Sequence, residues 1–130
     1  GIKFTIDMKE DINFVCYGNE FKQIILNLVN NAKEALISNN IVKPAILLRA
    51  IRYKQKLVID IVDNAGGIPN DIINKVFDPY FTTKGDQGTG IGLHIIKSII
   101  EEHMSGTITV KQGSKGAHFT VTLPLPYSVQ

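Results

Sequence analysis

Four glycines within eight residues (Gly85, Gly88, Gly90 and Gly92), with an apolar helical pattern directly behind them, constrain this chain more than any other stretch. In the run KGDQGTGIGLHIIKSII, residues 84–100, Gly88-Thr89-Gly90 brings backbone N–H groups together with no Cβ in the way. Those donors lead into the free N–H groups that open a helix, and such a start attracts an anion, phosphate above all. The loop is not the Walker pattern, since no Gly-Lys-Ser or Gly-Lys-Thr closes it. Nor is it the dinucleotide fingerprint, because the third glycine comes one residue early. Taken alone, the stretch fits either a connection or a phosphate site.

The 130 residues, 44% hydrophobic and 20% charged, have the profile of one soluble globular domain. A net charge of +2 with no Lys/Arg cluster argues against nucleic acid or an anionic membrane as partner. Apolar runs are too short to cross a bilayer, and no signal-peptide pattern opens the sequence. Cys16 is the single cysteine, so an internal disulfide is excluded; in its apolar run it reads as a buried, inert thiol.

Alternating apolar and β-branched residues predict strands over 2–6 and 12–17. Asn19 is the expected N-cap of a helix over 20–38. There Phe21, Ile24, Ile25, Leu28, Ala32, Ala35 and Leu36 recur at helical spacing as the buried stripe. Beside it runs a second stripe, Asn27, Asn31, Glu34 and Ser38. Asparagine is a poor helix-interior residue because its amide competes for backbone groups. The row is either a solvated helix edge or a set of oxygen ligands suited to a hard cation such as Mg²⁺.

Strands are predicted over 45–53 and 57–62, joined by a turn at 54–56. The second runs into Asp63-Asn64-Ala65-Gly66-Gly67-Ile68-Pro69. A carboxylate at a strand end can accept from the amine of a planar base, and Gly67 leaves room beside the ring. The same residues are also ordinary turn chemistry. A short helix over 71–76 precedes the aromatic run Phe77-Asp78-Pro79-Tyr80-Phe81 and a polar segment that suits a lid. In the helix expected over 91–104, Leu93, Ile96, Ile99 and Ile100 form the core face. His103 falls on that face and reads as packed; His94 lies opposite, toward solvent or a partner. A hairpin of strands 108–110 and 117–123 turns through 112–116, with His118 structural.

In order along the chain, LNLVNNAKEA, DNAGGIP, FDPYFTTK, GTGIGL and GSKGAHFTVTLP are similar to the asparagine box, first glycine box, phenylalanine box, second glycine box and last glycine box of a known family. The chain resembles the catalytic, ATP-binding domain of two-component sensor histidine kinases. Their nucleotide-binding fold is shared with DNA gyrase, heat-shock chaperone and MutL-type mismatch-repair ATPases. The resemblance implies an α/β (α+β) two-layer sandwich of Bergerat type, with a mixed sheet of five or six strands covered on one face by three helices. It implies that residues 1–130 form one cytoplasmic domain of a longer kinase, whether or not the parent protein is anchored in a membrane.

By resemblance, Asn31 would hold Mg²⁺ through its amide oxygen, with Asn27 lining the same cleft. Asp63 would accept from the adenine amine, Gly67 would pass beneath the ring, and Ile68, Phe81 and Leu93 would complete the nucleotide site. Gly88, Thr89, Gly90, Ile91 and Gly92 would surround the phosphates of ATP, with a lid over 80–87 and Lys84 as the γ-phosphate contact. Asn31 and Lys84 are thus the catalytic candidates. The implied partners are ATP and ADP, the kinase's own dimerisation and phosphoacceptor domain, and a response regulator. Three positions depart from the family pattern. Ala65 replaces a usual glycine and predicts a stiffer turn, and Ala117 replaces a frequent Thr or Ser. Glu34 replaces a frequent lysine, leaving Lys33 as the neighbouring cation.

The gyrase, chaperone and mismatch-repair relatives carry a glutamate base where this chain has Asn27, and a neutral amide cannot take a proton from water or serine. The pattern therefore favours a domain that positions Mg·ATP for a nucleophile from elsewhere. None of His94, His103 or His118 sits as an exposed helical His followed by an acidic residue. The alternative is a degenerate module that binds nucleotide without catalysis.

Overall fold

The computed structural model describes residues 1–12, 18–79 and 92–125. The strand expected over 12–17 (with Cys16), the lid, and Phe81, Lys84, Gly88, Thr89, Gly90 and Ile91 lie outside the described residues from position 13 or 80 onward. Strand β1 is Lys3–Met8, helix α1 Gly18–Ser38, β2 Ala45–Tyr53 and β3 Lys56–Asp63. They are followed by α2 Asn70–Ile73, α3 Leu93–Ser98 with a π-helical continuation Ile99–His103, β4 Thr107–Gln112 and β5 Ala117–Pro124.

Among the described residues the sheet has five strands in the order β1-β2-β3-β5-β4. β1 runs parallel to β2 and every other pairing is antiparallel, so the sheet is mixed. Period-two alternation then sorts the side chains. Ile46, Leu57, Ile59, Ile61, Ile108, Phe119, Val121 and Leu123 are buried on one face, where Ile24, Leu28, Ala32 and Leu36 of α1 and Ile96, Ile100 and Met104 pack against them. All the helical core residues share that face, which gives the expected two-layer sandwich. Burying each such Ile or Leu contributes about 1.5–3 kcal/mol.

Helix α1 matches its predicted stripe, and its ends explain its length. It begins at Gly18, so Asn19 lies inside the first turn rather than at the cap. At the other end Asn40 takes a left-handed φ of 52°, Ile41 N–H donates to Leu36 O and Asn40 N–H to Ile37 O. This is the reverse turn that stops a helix with its last carbonyls satisfied, with asparagine in the glycine position. The β2–β3 hairpin turns on Lys54 (φ 58°) and Gln55, so Lys56 belongs to the strand rather than the turn.

Two expectations change at the other helix and hairpin. From Ile99 the helix widens into π geometry. A wider turn rotates the residues that follow, so Met104 is fully buried while the His103 side chain, expected in the core, is 56% exposed and bonded to Glu20 Oε2 at 2.8 Å. In the last hairpin β4 extends through Gln112, which pairs with Ala117; Gln112 is a strand residue and not part of the turn.

Candidate functional site

The site assembles where β3 ends. Asp63 is buried, and its Oδ1 accepts from Ala65 N–H at 3.0 Å and from Ala117 N–H of β5 at 3.2 Å. Oδ2 takes neither of these bonds. Two backbone donors thus fix the carboxylate's orientation and leave one oxygen to receive a ligand donor.

The chain after Asp63 is tied down on each side. Asn64 bridges back to β2, accepting from Ala45 N–H and donating to Lys43 O, both at 2.8 Å. Ala65 is buried, and its carbonyl accepts from Asn39 Nδ2 at 2.7 Å, which joins the end of α1 to the turn. The left-handed residues are Gly66 (φ 98°) and Gly67 (φ 87°), whereas Ala65 is not among the positive-φ residues. Alanine at 65 therefore imposes no backbone strain, and the stiffening expected there concerns a position that needs no glycine. Among the described residues a Cβ on Gly66 would meet no atom within 4 Å. One on Gly67 would collide with Gln112 Oε1.

The β4–β5 hairpin forms the facing wall. Lys115 O accepts from Gly66 N–H at 3.0 Å, and Gln112 Oε1 accepts from Ile68 N–H at 3.0 Å. Gly116 lies so close to Asp63 that a Cβ there would strike its backbone and its carboxylate. Gln112 and Gly116 were not singled out from the sequence; only the last glycine box marked their neighbourhood.

The structure therefore clusters Asp63, Gly67 and Ile68. Asn27 and Asn31 lie one turn apart on α1, both half-buried. Asn27 Nδ2 donates to Gln23 O at 2.8 Å, so its Oδ1 is not used in that bond. Asn31 carries a polar interaction of its own. Lys33 lines an open apolar groove with Phe4, Val29 and Ile37. Among the described residues no group of three His, Cys, Asp or Glu could hold a metal by itself. An amide oxygen supplemented by phosphate oxygens is the donor set that fits Mg²⁺ here. Gly92 caps α3, its carbonyl accepting from Ile95 N–H at 3.1 Å, and Leu93 packs on the core. Phe77, at the base of the predicted lid, stands edge-on to Phe119 with ring centroids 6.2 Å apart, and Lys97 Nζ sits 5.3 Å above it.

A second polar cluster occupies the opposite face of the sheet. Asp60 accepts from His118 Nε2 at 2.7 Å and Thr120 Oγ1 at 2.9 Å, with Arg49 at 3.4 Å. Burial pushes the Asp60 carboxyl up. The hydrogen bonds from His118 and Thr120, with the charges of His118 and Arg49, outweigh it and hold the group below the usual carboxylate range. His118 is structural, as expected.

A mixed sheet covered on one face by helices defines an α/β sandwich, with a fixed carboxylate and a glycine turn at the end of β3. The sequence model of the histidine kinase-, DNA gyrase B- and HSP90-like ATPases matches residues 17–127, and the chain belongs to this family. It is 38% identical over 104 residues to the sensor histidine kinase ZraS of Escherichia coli K12, covering 79% of this chain and 21% of that protein. Against the two-component sensor PprA of Pseudomonas aeruginosa the identity is 34% over 115 residues, covering 82% and 12%. The chain thus spans about an eighth to a fifth of these relatives' length. Among solved structures it is similar to the nucleotide-free catalytic domain of the histidine kinase ThkA, with a TM-score of 0.83, 31% identity and 95% and 78% of the two chains covered. ThkA in complex with the response regulator TrrA aligns at a TM-score of 0.78 and 27% identity, covering 95% and 34%. Among the described residues no helix is long and apolar enough to cross a membrane.

Proposed function

We propose that this chain is the catalytic domain of a two-component sensor histidine kinase, binding Mg·ATP and presenting its γ-phosphate to a histidine on a separate dimerisation and phosphoacceptor domain. The observation that carries the reading is Asp63, whose Oδ1 is held by two backbone N–H groups beside the Gly66-Gly67 turn. A carboxylate so held accepts from an exocyclic amine, and the open space at Gly66 leaves room for a ring. Asn27 and Asn31, one turn apart on α1, would offer amide oxygens to the metal and phosphates, and Mg²⁺ would supply charge neutralisation there.

Asn27 argues for transfer to a supplied acceptor rather than hydrolysis. Its Nδ2–H is already donated to Gln23 O, and an amide takes no proton from a nucleophile. Phosphoryl transfer draws most of its acceleration from positioning and charge stabilisation, so a domain without its own base can serve. Gly88, Gly90 and Gly92, with Lys84, would face the phosphates, and a response regulator would receive the phosphoryl group downstream. Incubation with γ-labelled ATP tests this. The chain alone should bind nucleotide yet acquire no stable label, and label should appear on the histidine of an added phosphoacceptor domain. Stable label on His94, His103 or His118 of the chain alone would falsify the proposal.

A further inference from the structure

We infer that Gln112 is a positioning residue for the base-binding turn, acting through the backbone of Gly67 and Ile68. The inference rests on the ATP reading of the same cleft. Gln112 is the last residue of β4, on the same face as Ile108, Asp63 and Ala117, and its register partner Ala117 is the residue whose N–H holds Asp63. Its Oε1 accepts from Ile68 N–H at 3.0 Å across a separation of 44 residues. The same oxygen occupies the space a Cβ on Gly67 would need.

Three tethers therefore join the β4–β5 hairpin to the segment 63–68: Ala117 N–H to Asp63, Lys115 O to Gly66 N–H, and Gln112 to Ile68. The first two are made by backbone groups of the hairpin, which any sequence could supply. Gln112 is the one made by a side chain. With Gly66 and Gly67 both at positive φ, the turn has little intrinsic preference of its own. The Ile68 bond fixes where the turn ends, and so the plane that Gly67 offers beneath a base relative to the Asp63 carboxylate. Gln112 acts at the base end of the proposed cleft, so binding of phosphate alone should not depend on it.

Three forms of the chain test this: wild type, Gln112→Met, which keeps the length but loses the acceptor, and Gln112→Glu, which keeps an acceptor oxygen. Amide exchange at Ile68 is followed by NMR without ligand, and calorimetry measures binding of adenosine and of Mg·tripolyphosphate. In Gln112→Met, Ile68 exchange should quicken and adenosine binding should weaken about threefold to tenfold, as for one lost hydrogen bond. Tripolyphosphate binding and the thermal midpoint should hold, and Gln112→Glu should restore adenosine to within about twofold of wild type, as expected where an acceptor bond is retained. Unchanged Ile68 exchange in Gln112→Met overturns the inference whatever the ligand result. Faster exchange with unchanged adenosine affinity also overturns it, leaving the bond merely structural. If wild type binds no adenosine while Ile68 exchange responds as expected, the ATP reading is what fails, and the inference falls with it.

Discussion

Asp63→Asn separates recognition of the base from support of the fold, and the direction of its effect follows from the two bonds on Oδ1. Ala65 N–H and Ala117 N–H both point at that oxygen, at 3.0 and 3.2 Å. An asparagine must keep its carbonyl oxygen there, because the flipped amide would set N–H against N–H. The amide nitrogen then takes the place of Oδ2 and faces the cleft as a donor. Adenine's exocyclic amine is a donor too, so the pair changes from attraction to mismatch. A hydrogen bond to a charged group is worth about 1.5–3 kcal/mol, or roughly tenfold to a hundredfold in affinity. The fold should lose only about 1 kcal/mol, since both backbone bonds persist as neutral ones. Asp63→Ala is a poorer test, because it strands two buried N–H groups at about 1–3 kcal/mol each. Calorimetry with Mg·ADP, the purine riboside diphosphate that lacks the amine, and inosine diphosphate reads the outcome. ADP should lose its advantage over the purine analogue, and inosine diphosphate, whose O6 accepts, should gain on both. An unchanged ADP-to-purine ratio in a folded variant would refute the reasoning.

Two further outcomes are expected. Because Asp60 titrates below its ordinary range in the folded chain, its contribution is present above the unfolded carboxylate value of about 3.9 and is lost as pH falls through the lower folded value. Urea unfolding should show wild type ahead of Asp60→Asn at pH near 7, with the gap closing in strong acid; a gap independent of pH contradicts the Asp60–His118–Arg49 account. Gly88→Ala with Gly90→Ala should slow phosphotransfer to a supplied acceptor domain more than it weakens ADP binding, because the added Cβ atoms would intrude on the terminal phosphate. Equal losses measured by label transfer and by ADP calorimetry would place those glycines in a structural turn.

Much of the fold could be read from periodicity. The stripe Ile24, Leu28, Ala32 and Leu36 is spaced one turn apart, and all four residues are buried as that spacing requires. The strands expected over 45–53 and 57–62 form as Ala45–Tyr53 and Lys56–Asp63, since short apolar, β-branched runs on either side of a polar turn suit paired strands. Asp63 and Gly67 stood out only with the family's glycine box beside them, since a carboxylate and glycines at a strand end are also ordinary turn chemistry. His103 was placed in the core by a constant helical pitch, but a π turn, invisible to a periodic count, hands that position to Met104. Gln112 looked like a turn residue because its polarity suits a turn and its partner is distant in sequence.

What the sequence determined by itself is local: which segments are helix or strand, which face of each is apolar, and which residue types are suited to hold a phosphate, a cation or a base. Tertiary structure decided how those residues are aimed. Strand β5 inserts between β3 and β4, so Ala117 meets Asp63 across 54 residues and His118 meets Asp60 across 58. Neither pairing leaves a mark in composition or spacing. Which oxygen of Asp63 faces the cleft, why Ala65 is tolerated beside two left-handed glycines, and what holds Ile68 all depend on that insertion. Periodicity reports a residue's relation to its own helix or strand, whereas the register between strands is set by how whole faces pack.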